Sequence, residues 1–213
     1  MMNRTEIINR LIEKNNYKNY LEIGLDNPDN NYNHIVCEDK ECVDPFFECD
    51  HNNGFDVNIS DFEDIIKNTL TYRMTSDEFF QKNHKKYDII FIDGLHTKEQ
   101  VGKDIINSLK ILNAGGKIIC HDCLPTDEIS QKVPREQIYW MGDVWRTIPE
   151  LSKQNIKFNT VDCDCGCCII DFFENYNDLQ YISNWDKTWK DFESNNSFMN
   201  IISENDFIKL YIE

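Results

Sequence analysis

The sequence predicts an α/β fold built on a doubly wound parallel sheet, and three observations carry that prediction. Residues 87–92 and 117–120 are short, largely apolar runs of the kind a parallel sheet buries on both faces. Residues 97–112 between them repeat apolar positions at helical spacing, which makes a strand–helix–strand unit. The chain has 213 residues with only 8 Gly and 5 Pro, scattered, and no repeat or flexible linker, so one domain spanning 1–213 is the economical organisation.

The elements follow in order. Ile7, Ile8, Leu11 and Ile12 predict a helix over 5–14, and the apolar run 20–24 predicts the first strand. A short run at Cys42 and Val43 stops at Asp44-Pro45. Residues 62–68 are weakly helical, 70–74 are β-rich, and Ser76-Asp77 resembles the cap of a helix reaching about Lys82. After the helix over 97–112, Ala114-Gly115-Gly116 reads as its stop. A helix is expected over 142–153, and strands over 158–161 and 168–173 close the fold as a hairpin-like edge. The tail from residue 175 carries Trp185, Trp189 and Phe192 at helical spacing, which predicts rings packing a terminal helix onto the body.

Charge and composition narrow the function classes. Lys and Arg total 22 against 38 Asp and Glu, a net charge of -16, and so acidic a surface repels phosphodiesters. Nucleic acid is therefore not an expected partner. No apolar run approaches the roughly 20 residues of a membrane span, and Met-Met-Asn-Arg-Thr-Glu at the N-terminus has no apolar signal core, so a soluble, cytoplasmic protein without a membrane partner is expected. The odd total of nine cysteines in that setting argues for free thiols. Cys163, Cys165, Cys167 and Cys168 crowd four sulfurs into six residues. Zinc sites usually draw spaced pairs from two segments, so this cluster is expected to be a turn between strands, with neither metal nor obligatory disulfide.

Open α/β sheets bind ligands at the carboxyl ends of their strands, and here those ends are acidic. They carry Glu22, Gly24 and Asp26, then Asp44, then Ser76 and Asp77, then Asp93 and His96, then His121, Asp122 and Cys123. Asp44 follows Gly24 by 20 residues, the interval at which a carboxylate meets a ribose. Asp26 and Pro28 stand where a dinucleotide fingerprint needs glycines for backbone approach to a pyrophosphate. S-adenosyl-L-methionine has no phosphate, so it suits this loop better than NAD.

Tyr20-Leu-Glu-Ile-Gly24, Val43-Asp44-Pro45, Met74-Thr-Ser-Asp77, Ile92-Asp93-Gly-Leu-His96 and Gly115-Gly-Lys-Ile-Ile-Cys-His121-Asp122 together resemble class I S-adenosylmethionine-dependent methyltransferases. More narrowly, the Asp-Gly-x-His element and the His-Asp pair are similar to the metal-dependent sugar O-methyltransferase branch. The likeness covers about residues 18–172. It implies a Rossmann-like, seven-stranded sheet, mostly parallel with an antiparallel last strand. It implies a cofactor set of Glu22, Gly24, Asp26, Asp44, Ser76, Asp77 and Asp93, with Asp44 on the ribose and Ser76 and Asp77 beside the adenine. It further implies a divalent cation, usually magnesium, on Asp93 and Asp122, and a base at His96. Relatives have an acid that reaches the metal where this chain has His121, so His121 is either a ligand or a second candidate base.

The chemistry of the residues agrees. An alcohol is too weak an acid to attack a sulfonium methyl near neutral pH, so the site must remove its proton or stabilise the alkoxide. Paired carboxylates can hold a hard cation, and a neutral histidine can take the proton. Trp140, Trp145 and Arg146 either floor a sugar pocket or seat the helix. The expected activity is methylation of a sugar hydroxyl, on a small molecule such as a nucleotide sugar or on a glycan, and a homo-oligomer is compatible with the sequence. Two rivals stand beside it: a catechol-type O-methyltransferase, and a non-catalytic S-adenosylmethionine-binding or interaction protein, for which the glycine-poor first loop speaks.

Overall fold

The structure, a computed structural model, describes residues 1–45, 69–174, 179 and 186–213. Its strands are β1 (Asn19–Ile23), β2 (Asp39–Asp44), β3 (Tyr72–Arg73), β4 (Tyr87–Ile92), β5 (Leu112–Cys120), β6 (Phe158–Val161), β7 (Cys167–Asp171) and β8 (Ile201–Ile202). They form one sheet in the order β3-β2-β1-β4-β5-β7-β6-β8. Pairing is parallel from β3 to β5, β7 is antiparallel to both β5 and β6, and β8 is parallel to β6.

Two expectations about this sheet are corrected. Among the described residues it has eight strands, not seven, and the hairpin of β6 and β7 is not its edge. The amides of Thr160 and Asp162 donate to the carbonyls of Asn200 and Ile202 at 3.1 and 3.0 Å, which recruits two residues of the tail as β8. A two-residue strand has no period to read.

The helices are α1 (Arg4–Asn15), α2 (Ser76–Lys82), α3 (Lys98–Ile111), α4 (Ile148–Lys153), α5 (Trp189–Ser194) and α6 (Glu204–Phe207). Asn3 caps α1 through the Glu6 amide, and Ile7, Ile8, Leu11 and Ile12 form its buried stripe. Thr75, one residue earlier than expected, caps α2 in a reciprocal box with Glu78. Residues 114–116 are not the stop of α3. The helix ends at Ile111, and these residues lie inside β5, with Gly115 at φ +79° beside a register shift against β4. The helix expected from residue 142 starts later, after a 3-10 turn at Val144–Thr147, because Gly142 sits at φ +64°, outside helical space. The helix expected over 62–68, Cys49 and Trp185 lie outside the described residues.

The strands are buried on both faces, as a doubly wound sheet requires. Ile90 and Ile92 share a core with Val101, Ile105, Leu109 and Trp145, whereas Ile89 and Phe91 share one with Ile7, Ile8, Leu11 and Phe207. The tail rings pack on the body: Phe192 lies 4.9 Å from Trp145, and Trp189 stacks on Phe192 at 5.4 Å. Cys163, Cys165, Cys167 and Cys168 are free thiols. Among the described residues, no helix is long and apolar enough to cross a membrane.

Candidate active site

A cavity of about 660 Å³ opens at the carboxyl ends of β1, β2 and β4, and Gly24, Asp26, Asp44, Ser76, Asp77, Asp93 and His96 all line it. Gly24 is required by close approach. Its φ is +92°, and a Cβ there would lie 2.2 Å from the Asp93 carbonyl oxygen. The Gly24 amide donates to the Val43 carbonyl at 2.9 Å and the Asp93 amide to the Ile23 carbonyl at 2.8 Å, so three strand ends are tied at this point. Asp44 accepts from the Leu25 amide at 2.9 Å, which fixes its carboxylate over the first loop.

At the α2 end, the Gln100 amide nitrogen donates to Ser76 Oγ, Asp77 Oδ1 and Asp104 Oδ1 at 3.1, 3.3 and 3.1 Å. Burial pushes the Asp104 carboxyl up to about 6. Neither Gln100 nor Asp104 was expected in the site. The available signal was a carboxylate set among the apolar positions Val101, Ile105 and Ile106 of α3.

Glu22, expected beside the cofactor, does not line the cavity. Side chains alternate along a strand, so Ile23 faces the cavity while Glu22 turns to the opposite face. There Glu22 accepts from the Tyr20 hydroxyl and from Asn31 Nδ2 at 2.9 Å. Desolvation pushes its carboxyl up to about 8.

Asp93, His96 and Asp122 converge beside this cavity. His96 Nε2 is 3.4 Å from Asp93 Oδ1, and His96 Nδ1 is 3.3 Å from Asp122 Oδ2. The imidazole stacks on Trp140 at 5.3 Å, with Nδ1 3.2 Å from the Trp140 carbonyl oxygen. A carbonyl only accepts, so this contact assigns a ring hydrogen to Nδ1, while Nε2 faces the Asp93 carboxylate. Desolvation works against charge on His96, but Asp93, Asp122 and the Trp140 carbonyl raise it above the ordinary histidine value. Against the same desolvation, His121 and His96 hold Asp93 below the usual carboxylate range.

Two further close approaches set this geometry. Gly142, at φ +64°, would place a Cβ 1.8 Å from the His96 carbonyl oxygen, so the chain from Trp140 abuts the turn that bears His96. Asp122 holds φ +59°, unusual outside glycine, where the amides of Cys123 and Leu124 are bonded to Gly166 and Cys165 carbonyls at 3.1 and 2.8 Å. The three aromatic and basic candidates separate: Trp140 belongs to the site, Trp145 is buried in the core, and Arg146 lies over the Trp145 ring at 5.4 Å.

His121 is 5% exposed and sits behind the two acids. Its Nδ1 is 3.3 Å from Asp93 Oδ1 and 3.4 Å from Asp122 Oδ1, and its Nε2 is 3.2 Å from Arg4 Nη1. Desolvation opposes charge on this ring, while Asp93, Asp122 and Asp164 raise it well above the ordinary value. Nε2 thus lies between a donor, Arg4 Nη1, and an acceptor, Asp164 Oδ2 at 3.7 Å. Arg4 and Asp164 were not expected in the site, and no local pattern marks them: they come from α1 and from the turn between β6 and β7.

Residues 22–123 match the family model described as a methyltransferase domain. No curated protein matches the chain. Among solved structures, the chain is similar to an O-methyltransferase from Bacillus cereus in complex with SAH, at 12% identity, 81% coverage of this chain, 83% of that one and TM-score 0.53. It is also similar to an SAH-bound methyltransferase from Podospora anserina, at 16% identity, 82% and 80% coverage and TM-score 0.54. A third is the SAM complex of TomG, an O-methyltransferase from Streptomyces achromogenes involved in tomaymycin synthesis, at 10% identity, 78% coverage of each chain and TM-score 0.51. The family model, over a little under half of the chain, and the likeness in fold both point to methyltransferases.

Proposed function

We propose that this enzyme is an O-methyltransferase that methylates a sugar hydroxyl with the help of a divalent cation. The observation that carries the proposal is the meeting of Asp93, His96 and Asp122, whose ligand atoms all lie within 4.8 Å of one another at the ends of adjacent strands. Two carboxylates are a hard oxygen set suited to magnesium. The cavity fits S-adenosylmethionine at the other end of the site: glycine where the first loop meets Asp93, a carboxylate at Asp44 for the ribose, and Ser76 and Asp77 against the base.

The cofactor would supply an electrophilic methyl group, and Asp93 and Asp122 would hold the cation, whose charge, when bound, would lower the pKa of a neighbouring hydroxyl. His96 receives the hydroxyl proton on Nε2, with Nδ1 anchored on the Trp140 carbonyl and Asp93 favouring the charged ring that results. Gly24 and Asp44 fix the cofactor end. A catechol-type acceptor is the second reading, supported by the exposed side chains of Leu95, Ile138 and Tyr139 close in sequence to His96 and Trp140. Methyl transfer to sugar and catechol panels is the test. Turnover lost in EDTA and in Asp93→Asn and Asp122→Asn, and restored to wild type by magnesium, is the expected result. Full activity in EDTA removes the cation from the proposal, and preference for phenols replaces the sugar.

A further inference from the structure

We propose that Asp104 is a specificity-determining residue that reads the exocyclic amine of the cofactor's base from α3, so that the site takes a 6-aminopurine and turns away a 6-oxopurine. This role rests on the reading of the cavity as an S-adenosylmethionine site, and it names the group that selects the base there.

The corner of the cavity between α2 and α3 holds more acceptors than donors. Gln100 Nε2 has two hydrogens, and Ser76 Oγ at 3.1 Å, Asp77 Oδ1 at 3.3 Å and Asp104 Oδ1 at 3.1 Å compete for them. The nearest cation serves the outer carboxylate: Lys103 Nζ is 3.5 Å from Asp77 Oδ2, and both side chains are largely in solvent. Asp104 is different. It is 1% exposed and yet lines the cavity.

The Asp104 carboxylate is bonded by the Ser76 hydroxyl and the Gln100 amide, which favour its charge together with Lys103. Burial, with Asp77 beside it, outweighs them and raises the carboxyl to about 6. Such a group is stabilised by a further donor entering the cavity. Its place is also fixed, because Val101, Ile105 and Leu109 of the same helix lie in the core and Gln100, one turn earlier, ties it to α2. An exocyclic amine brings two hydrogens to this corner. A 6-oxo group brings lone pairs against a buried carboxylate, which leaves that charge without the donor it lacks.

The test reads a ratio of affinities. S-adenosylhomocysteine and S-inosylhomocysteine, an amino and an oxo group at position 6, are titrated by calorimetry into the full chain and into Asp104→Asn, Asp104→Ser and Asp77→Asn. The wild type is expected to favour the amino ligand by about 10- to 150-fold, the worth of one hydrogen bond to a charged acceptor. In Asp104→Asn, whose amide can donate to an oxo group, the preference is expected to vanish. Asp104→Ser, expected to narrow it, guards against an asparagine variant that does not fold, and Asp77→Asn is expected to keep most of it. A merely structural role weakens both ligands alike and leaves the ratio at its wild-type value. Equal affinities in the wild type, a ratio unchanged in the Asp104 variants, or a ratio that collapses only in Asp77→Asn overturns the proposal. A wild type that binds neither ligand overturns the cofactor reading itself, and the role of Asp104 with it.

Discussion

The two ends of the site are built on opposite plans. At the β1–β2 end there is open volume, one glycine forced by a close approach, and single directional groups such as Asp44 on the Leu25 amide. At the β4–β5 end Asp93, His96, His121 and Asp122 interlock with Arg4, Trp140 and Asp164 at 3.2 to 3.7 Å. A large cofactor needs room and a few contacts that fix its orientation. Moving a proton needs charges already oriented before the substrate arrives.

The contrast can be broken most sharply at His96. His96→Ala is expected to slow methyl transfer by about 10²- to 10⁴-fold while S-adenosylmethionine affinity, read by calorimetry, stays at the wild-type value; a parallel loss of affinity would show that the two ends are one unit. Asp44→Ala probes the other end. Loss of a charge-assisted contact of roughly 1.5 to 3 kcal/mol should weaken cofactor binding by about 10- to 150-fold, and unchanged affinity would move the ribose elsewhere.

The smallest expected effect is on stability, at Glu22 beneath both ends. Its carboxyl is raised from the ordinary 4.5 to about 8 in the folded protein, so folding favours the protonated form and stability is lost as pH rises through that window. Glu22→Gln cannot ionise. Its melting temperature relative to wild type should therefore climb between pH 5 and pH 9, and a difference that stays flat with pH would show that Glu22 does not titrate there.

How far each end could be read from the sequence follows from the same plans. Asp44, Asp93, His96 and Asp122 stand just past short apolar runs, and a parallel sheet delivers such residues to one edge whatever the rest of the chain does. Glu22 stands inside a run, where alternation, not proximity, decides the face it takes. Arg4 and Asp164 meet His121 only because α1 and the turn after β6 fold onto the end of β5, a contact spanning well over a hundred residues that leaves no local pattern. Asp104 was visible as a polar break in an apolar stripe, but its partner Gln100 gives it meaning only once α2 and α3 are packed.

The two residues of β8 have a consequence for colloidal behaviour. Without them β6 would be an outer strand, with the amides of Thr160 and Asp162 turned to solvent and ready to pair with another chain. The tail satisfies both, and the short strand that replaces β6 at the boundary offers little length for a neighbour to copy. A chain shortened before Asn200 would keep every group of the site, yet it would lose the Phe207 ring from the core and expose a templating edge, so self-association in concentrated solution would accompany its loss of stability.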